Sequence, residues 1–312
     1  TEQVDGVETL VVTAFSNQLK VAVVNWLDRR GGLVRQHVPG LMDLTLQRVS
    51  EEEAQATISP FELSTQVPVV GHLPARDLIE SLQLRVRRRT GAAVELIPNT
   101  RRQQVTAAGD DAIVTITRQH PPASTLALPV DVPELAPFTQ PTTHAQSDDP
   151  DIVATARVVV GEERDAWVAA QRIVDWVHRN MHKVQSEPRP ITAVECLRSM
   201  TGDCTEHAVL TVALARAVGL PARMVVGLVY TGGAFGYHAW NEIYVGEWVE
   251  MDPSWGQMTA DAGHLLLQSS DLDDLSYAQA SLATGRTLGT IAIDLLSYLR
   301  TDGQRVQLTP EG

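Results

Sequence analysis

The sequence Gly-Asp-Cys-Thr-Glu-His-Ala at residues 202–208 joins a glycine, a helix-capping acid and a cysteine. If Gly202 or Asp203 is the N-cap, Cys204 falls in the first turn of a helix, where unpaired backbone amides and the helix dipole favour negative charge. That setting stabilises a thiolate, and the backbone amide of Cys204 can donate to an oxyanion. The stretch therefore predicts a nucleophilic cysteine at a helix start.

Two stretches further along the chain supply the groups that activate a thiol. Tyr-His-Ala-Trp-Asn-Glu (237–242) and Met-Asp-Pro-Ser-Trp-Gly (251–256) lie in adjacent predicted strands. A histidine can accept the proton of the thiol, and an aspartate can hold the imidazole in the correct tautomer. Capping of the turn at Pro253 is the ordinary alternative for the aspartate. The candidate catalytic residues are Cys204 as nucleophile, His238 as base and Asp252 as orienting acid.

The turn between these two strands decides whether His238 and Asp252 can meet. A strict two-residue turn at Gly246 and Glu247 would pair residue 245 with residue 248 and place the two side chains on opposite faces of the sheet. A three-residue turn or a bulge returns them to one face, about one diagonal apart. We therefore predict an odd-length turn or a bulge at this position.

Four linked motifs resemble the transglutaminase-like superfamily of papain-type thiol enzymes, and bacterial members with a β-rich N-terminal domain are the most similar. The motifs are the runs at 202–208, 215–227, 237–242 and 248–256. The resemblance implies an α+β, papain-like core in which a helix-borne cysteine packs on an antiparallel sheet. By position it gives the triad roles to Cys204, His238 and Asp252.

This resemblance also implies an activity without fixing the reaction. A thioester acyl-enzyme formed from the amide bond of a peptide or protein can be hydrolysed, as by a peptidase or amidase, or transferred to an amine, as by a transglutaminase. A non-catalytic interaction module that retains the fold is the alternative. No cofactor or metal is expected, because the sequence around Cys204 differs from that of the calcium-dependent animal enzymes.

Composition divides the chain into four parts. Residues 1–118 mix β-branched residues with period-two alternation and predict a β-rich, sandwich-like N-terminal domain. Seven of the 17 prolines fall between residues 121 and 150, so 119–150 is predicted to be an extended linker or a strap over the surface. A catalytic domain at 151–299 and a C-terminal tail at 300–312 complete the division.

Helical periodicity begins after the proline-rich segment. Apolar residues spaced three and four apart over 166–184 predict one amphipathic helix of about five to six turns. Shorter helices are predicted at 192–200 and 204–218, and strands at 222–230, 237–245, 248–251 and 288–299.

Charge and composition narrow the possible partners. The formal net charge of −13 disfavours nucleic acid and anionic membranes, and no apolar run is long enough to span a bilayer. A peptide or protein substrate is what the resemblance to the transglutaminase-like superfamily implies. Two cysteines make no disulfide framework.

The cellular location stays open. The chain begins at Thr1 without a recognisable signal segment, so the protein is either cytoplasmic or, after removal of such a segment, periplasmic or secreted. The oligomeric state is also open.

Several other residues have a structural and a functional interpretation. Structural roles are favoured for Cys196 as an inert core thiol and for His207 and His264 as core or surface histidines. Trp240 and Trp255 fit either the core or a substrate cleft, and Gln185 either a second oxyanion donor or a solvent-facing amide. Arg85, Arg87, Arg88 and Arg89 fit the solvated face of an edge strand, and Asp271, Asp273 and Asp274 a solvated helix start.

Overall fold

The structure is a computed structural model that describes residues 1–4, 6–16, 21–38, 44–50, 66–70, 72–88, 97–184, 191–287 and 289–308. Within these ranges the helices are α1 (Pro150–Val160), α2 (Ala166–Asn180), α3 (Ala193–Ser199), α4 (Cys204–Ala217) and α5 (Asp274–Thr287). The strands of the first half are β1 (Glu2–Val4), β2 (Val7–Ser16), β3 (Val21–Leu27), β4 (Leu33–Val38), β5 (Leu44–Gln47), β6 (Gln66–Val70), β7 (Ile79–Arg88), β8 (Gln103–Ala108) and β9 (Asp111–Thr117). Those of the second half are β10 (His182–Lys183), β11 (Thr201–Gly202), β12 (Ala222–Thr231), β13 (Ala234–Tyr244), β14 (Trp248–Met251), β15 (His264–Ser270), β16 (Ile291–Arg300) and β17 (Arg305–Gln307). Short 3-10 helices lie at Arg76–Leu78 and Pro133–Phe138.

Two large sheets organise these strands. The first five strands form one sheet in chain order, and ten of the described strands form a second. Its order is β15-β12-β13-β6-β16-β7-β9-β8, with β14 beside β13 and β17 beside β16. Helices packed on a mainly antiparallel sheet confirm the predicted α+β class, and the N-terminal region is β-rich as predicted. The larger sheet takes strands from both sides of residue 118, and the division into domains stays a prediction.

Helix α4 lies at the centre of the larger core. Every residue from Glu206 to Arg216 is buried, because α1, α2 and α3 pack around the helix and β13 lies against its remaining face. A helix enclosed on all sides needs no polar stripe, which explains its run of alanine, valine and leucine. Asn241 of β13 ties the helix to the sheet through a 2.9 Å hydrogen bond from its Nδ2 to the carbonyl of Ala208. The start of α4 is thereby held against the sheet.

The long helix predicted over 166–184 is shorter in the structure. Asp165 caps α2 by accepting a hydrogen bond from the amide of Val168, as its position suggests, but the helix ends at Asn180. Met181 has extended backbone angles, and the chain continues into β10, which pairs with β11 directly before the cysteine helix. Helix α1, which Asp149 caps and Pro150 begins, was not predicted from the sequence.

The proline-rich segment forms hydrogen bonds with several distant parts of the chain. Its backbone amides donate to carbonyl groups far along the chain, from Leu126 to Val245 at 3.0 Å and from Leu128 to Arg164 at 2.7 Å. The buried guanidinium of Arg216 also donates to the carbonyl of Gln140. Whether the segment is a linker or a strap stays a prediction, like the division into domains.

The N-terminal half also contributes to the interior beside the β13–β14 hairpin. Arg102 donates to both carboxylate oxygens of Glu250, at 2.9 and 2.6 Å, and both side chains are buried. Trp240 adds a 3.0 Å hydrogen bond from its Nε1 to Glu250 and is itself fully buried. Of the two interpretations of Trp240, the core one is therefore confirmed.

The arginine run does not lie on an edge strand. Strand β7 pairs with β16 on one side and β9 on the other, so the edge-strand interpretation is wrong. Arg85 and Arg87 do face solvent, with side chains 44% and 47% exposed, and form ion pairs with Asp111 and Asp294. Arg89 lies outside the described residues.

The acidic segment before α5 caps that helix, as expected. The Asp273 carboxylate accepts a 2.7 Å hydrogen bond from the amide of Ser276 in its first turn. Among the helices of the described ranges, none combines the length and the apolar character that crossing a membrane requires.

Candidate active site

Cys204 is the first residue of α4, where the sequence places it. Asp203 is the N-cap: its carboxylate accepts from the amide of Thr205 at 2.8 Å, while Glu206 accepts from the amide of Asp203 at 2.9 Å. This capping box leaves the amide of Cys204 without an intrahelical acceptor. Burial and the adjacent Glu206 carboxyl raise the pKa of Asp203 to about 6. Cys204 itself is partly exposed, so an acyl donor can reach it.

Gly202 permits the close approach of the chain to this helix start. A Cβ atom at residue 202 would lie 2.3 Å from the Cβ atom of Glu206, a distance that side chains do not tolerate. Strand β11 is therefore packed directly on the capping side chain. Residue 202 is therefore a glycine for a steric reason, independently of the chemistry of Cys204.

The turn between β13 and β14 has an odd length, as predicted. Tyr244 pairs with Trp248, so Val245, Gly246 and Glu247 form a three-residue turn. This register places His238 and Asp252 on one face, and the Nε2 atom of His238 lies 2.8 Å from Oδ2 of Asp252. The odd-length turn predicted from the sequence is therefore confirmed.

His238 connects the cysteine to the aspartate. Its side chain hydrogen-bonds with Cys204 as well as with Asp252, whose Oδ2 atom lies 2.8 Å from Nε2 of His238. Burial by itself lowers the pKa of His238, but the hydrogen bonds and charges of Asp252 and Cys204 outweigh it and raise the pKa to about 10. The ring is packed against Trp255, with ring centroids 5.0 Å apart. The structure thus brings the three predicted residues together.

Asp252 uses its two oxygens for different tasks. Oδ1 accepts from the amide of Ser254 at 2.9 Å, the hydroxyl of Ser254 at 2.8 Å and the amide of Trp255 at 3.1 Å. Oδ2 accepts from His238 and also from His264, at 2.8 and 3.3 Å. Burial alone would raise the pKa of Asp252, yet the two histidines hold it far below its usual range. The side chain therefore caps the turn and binds the histidine at once.

His264 and Asp261 belong to this network, although the sequence analysis favoured a structural or surface role for His264. The histidine is fully buried, and its Nδ1 lies 3.0 Å from Oδ1 of Asp261. Burial lowers the pKa of His264, but the two carboxylates outweigh this and raise it. The sequence feature that could have revealed this pair is Asp-Ala-Gly-His at 261–264. Its aspartate also accepts a 2.8 Å hydrogen bond from the amide of Gly263.

Residues 153–253 match the family model of the transglutaminase-like superfamily. The chain carries a transglutaminase-like domain. Its matched range begins in α1 and ends one residue after Asp252, so it contains Cys204, His238 and Asp252. His264 and Asp261 lie beyond it. No curated protein sequence matches the chain.

The chain is also similar to several solved structures at low identity. A candidate cysteine protease from Cytophaga hutchinsonii is 16% identical with a TM-score of 0.46, covering 75% of this chain and 88% of the other. The periplasmic domain of TgpA from Pseudomonas aeruginosa is 14% identical with a TM-score of 0.41, covering 61% and 87%. Red sea bream transglutaminase is 13% identical with a TM-score of 0.34, covering 76% and 55%. Likenesses this distant carry no functional information about this chain.

Four other residues have both a structural and a functional interpretation, and they are Cys196, His207, Trp255 and Gln185. Cys196 is buried in the core, and His207 is buried with its Nδ1 2.6 Å from the carbonyl of Asp203. Trp255 lies against His238 and is partly exposed. Gln185, the candidate second oxyanion donor, lies outside the described residues.

Within the described parts of the chain, one group of three side chains has metal-ligand chemistry in close range. His238, Asp252 and His264 offer ligand atoms that all lie within 4.8 Å of one another. Both histidines already hydrogen-bond to Asp252 Oδ2, at 2.8 and 3.3 Å. A metal ion would have to replace both bonds, so the arrangement is satisfied as a hydrogen-bonded network.

Proposed function

We propose that this chain is a thiol enzyme that acts on amide bonds of peptides or proteins through Cys204, His238 and Asp252. The observation that carries the proposal is the position of His238, whose side chain hydrogen-bonds with a thiol at a helix start and with a buried carboxylate. A buried histidine with a purely structural role needs no thiol at this position. The transglutaminase-like domain supports the same class of chemistry.

The acylation step follows from these contacts. The sulfur of Cys204 attacks the amide carbonyl carbon, and His238 holds the proton that the thiol gives up. The oxygen of the tetrahedral intermediate lies within reach of the backbone amide of Cys204, which has no intrahelical acceptor. Collapse breaks the carbon–nitrogen bond, and His238 protonates the departing amine. A thioester on Cys204 remains.

Asp252 and His264 act on this step through other residues. Asp252 fixes the orientation of the His238 ring and stabilises its charged form. His264 is a positioning residue, because it holds the second side of the same carboxylate oxygen and is itself held by Asp261. Water or an amine then attacks the thioester, with His238 as the base, and regenerates the thiol. Water gives hydrolysis, whereas an amine gives acyl transfer.

Alkylation of Cys204 tests the enzyme proposal without knowledge of the substrate. At pH ~6, well below the pKa of an ordinary thiol of about 8.5, iodoacetamide should label Cys204 about tenfold faster than a small thiol. The variant Cys204→Ala should lose the fast phase, whereas Cys196→Ala should retain it because Cys196 is buried. If Cys204 reacts no faster than the small thiol, the enzyme proposal fails and the non-catalytic interaction module is the remaining candidate.

The acyl acceptor is identified by a second experiment. The protein is incubated with a glutamine-containing peptide and a fluorescent amine, and both cleavage and amine incorporation are followed by mass spectrometry. Incorporation without cleavage identifies a transglutaminase, and cleavage without incorporation identifies a peptidase or amidase. The Cys204→Ala variant is the control for both readouts.

A further inference from the structure

A cavity of about 370 Å3 opens at the tip of the β12–β13 hairpin. One wall is formed by residues 72–76, which lead into the first 3-10 helix, and the other by residues 230–233 of the hairpin. His72 and Arg76 are the basic residues of this lining, and among the described residues that form it none has a carboxylate. The chain as a whole has a net charge of −13, so the lining of this cavity, with basic side chains and no carboxylate among its described residues, is more positive than the average surface of the protein.

Arg76 connects this cavity to the candidate active site. Its guanidinium carbon lies 3.9 Å from the ring centroid of Trp255, whose ring is 5.0 Å from that of His238. The cation is thus one aromatic ring away from the candidate catalytic histidine. These two distances place the guanidinium carbon within about 9 Å of the centre of the His238 ring, a length that two to three extended residues of a bound peptide span at roughly 3.5 Å each.

The guanidinium retains donors for a ligand. Its Nη1 atom is buried and forms an ion pair with Oδ2 of Asp261 at 3.7 Å, a distance too long for a hydrogen bond, whereas the side chain as a whole is 38% exposed, so the donors that a ligand can reach lie on its exposed part. Asp261 is shared among several partners, because Gln257 donates to Oδ2 at 2.8 Å and His264 lies 3.0 Å from Oδ1. The stacked ring of Trp255 fixes the plane of the guanidinium, and such a plane suits bidentate binding of a carboxylate.

We propose that Arg76 binds a carboxylate of the substrate, so that Cys204 acts on acyl groups close to an acidic side chain or to a free C terminus. The inference rests on the proposed function, because it assigns a substrate class to the same site. Both sources present the same planar anion to the guanidinium. The electrostatic attraction also steers an acidic substrate to one position on an otherwise acidic protein.

Three bromoacetyl dipeptides test this on the full chain. The probes are bromoacetyl-Gly-Glu-amide, bromoacetyl-Gly-Gln-amide and bromoacetyl-Gly-Gln with a free carboxyl terminus. In each, the Cys204 thiolate displaces bromide and forms a thioether. The labelling rate of each probe is first divided by the rate at which the same probe reacts with a small neutral thiol. At least one acidic probe should then label Cys204 about tenfold faster than the neutral probe. The faster acidic probe identifies the source of the carboxylate, a side chain or a free C terminus.

Variants assign the preference to Arg76. Arg76→Gln should remove the preference, so that within this variant the acidic probes label Cys204 no faster than the neutral probe, and Arg76→Lys should retain part of the preference. Arg87→Gln is the matched control, because Arg87 is exposed on the sheet and pairs with Asp294. Equal labelling by all three probes, or a preference that survives Arg76→Gln, overturns the inference and leaves the enzyme proposal intact. Cys204 that reacts with every probe no faster than the small thiol overturns the enzyme proposal itself.

Discussion

The Nε2 atom of His264 lies 3.3 Å from Oδ2 of Asp252, the same oxygen that accepts from His238. One carboxylate oxygen is therefore shared by two buried imidazoles. His264 in turn is held by Asp261 at 3.0 Å. The candidate triad thus continues into a second acid–histidine pair, and the charges of the two pairs are coupled.

Replacing Asp252 with asparagine should lower the pKa of His238. The variant removes the charge that overcomes the effect of burial, so the pKa should fall from about 10 toward the ordinary value of about 6.5. Histidine ring signals followed by NMR during a pH titration measure this directly, with His238→Gln as the assignment control. A ring that still titrates near 10 in Asp252→Asn would show that Asp252 does not set the basicity of His238.

The free energy of unfolding should fall as the pH rises from about 6.5 to about 10. His238 keeps its proton in the folded state up to a pKa of about 10 but releases it near 6.5 when unfolded, so its stabilisation is complete below 6.5 and lost above. One such histidine contributes a slope of at most about 1.4 kcal/mol per pH unit, and His264 adds to it, whereas a thiolate at Cys204 offsets part of it below the ordinary thiol pKa of about 8.5.

Urea unfolding at pH 6, 8 and 10 measures this dependence. Asp252→Asn should flatten it, because the raised pKa of His238 depends on that carboxylate. His120→Gln, at an exposed histidine, should leave the slope unchanged. Equal slopes in wild type and Asp252→Asn would contradict the expectation.

The charges of His264 and Asp261 should be energetically coupled. His264→Gln leaves two buried carboxylates with one positive charge fewer, which should cost about 3–5 kcal/mol. Adding Asp261→Asn removes the surplus charge, so the double variant should cost about 0.5–3 kcal/mol less than the sum of the single variants. A double-mutant cycle of urea unfolding measures the difference. Strict additivity would mean that the 3.0 Å contact carries no net electrostatic coupling.

Alanine at Gly202 should damage the site by sterics alone. Its Cβ atom would lie 2.3 Å from the Cβ atom of Glu206, so the strand must move away from the helix start, at a cost of about 1–3 kcal/mol. Alkylation of Cys204 at pH ~6 should slow in parallel. Gly236→Ala is the matched control, since a Cβ atom there meets nothing within 4 Å. Equal behaviour of the two variants would argue against the close approach at Gly202.

Local signals explain why much of the site was predictable. Asp203 caps α4 through bonds to residues two and three positions away, and glycine, acid and cysteine are contiguous. The pairing of Tyr244 with Trp248 depends on a turn within one hairpin, so parity alone decided that its length had to be odd. Interactions over a few residues leave a pattern that the chain carries in order.

The misses have a common physical cause. The helical periodicity of residues 166–184 continues past Asn180, but the helix ends there and the chain forms β10, which pairs with β11. Strand β7 has a basic face like that of an edge strand, yet β16, more than 200 positions along the chain, covers one side of it. In both cases partners distant in sequence overrode a correct local pattern.

By itself, the sequence determined the helix-borne Cys204, the strand-borne His238 and Asp252, and the odd turn that lets them meet, because capping, strand alternation and turn length are properties of neighbouring residues. Only the tertiary structure placed His264 and Asp261 behind Asp252 and Arg76 over Trp255. Those contacts depend on how a loop packs on a hairpin and how the N-terminal half covers it. Such packing is the sum of many distant contacts, and no local pattern in the chain encodes it.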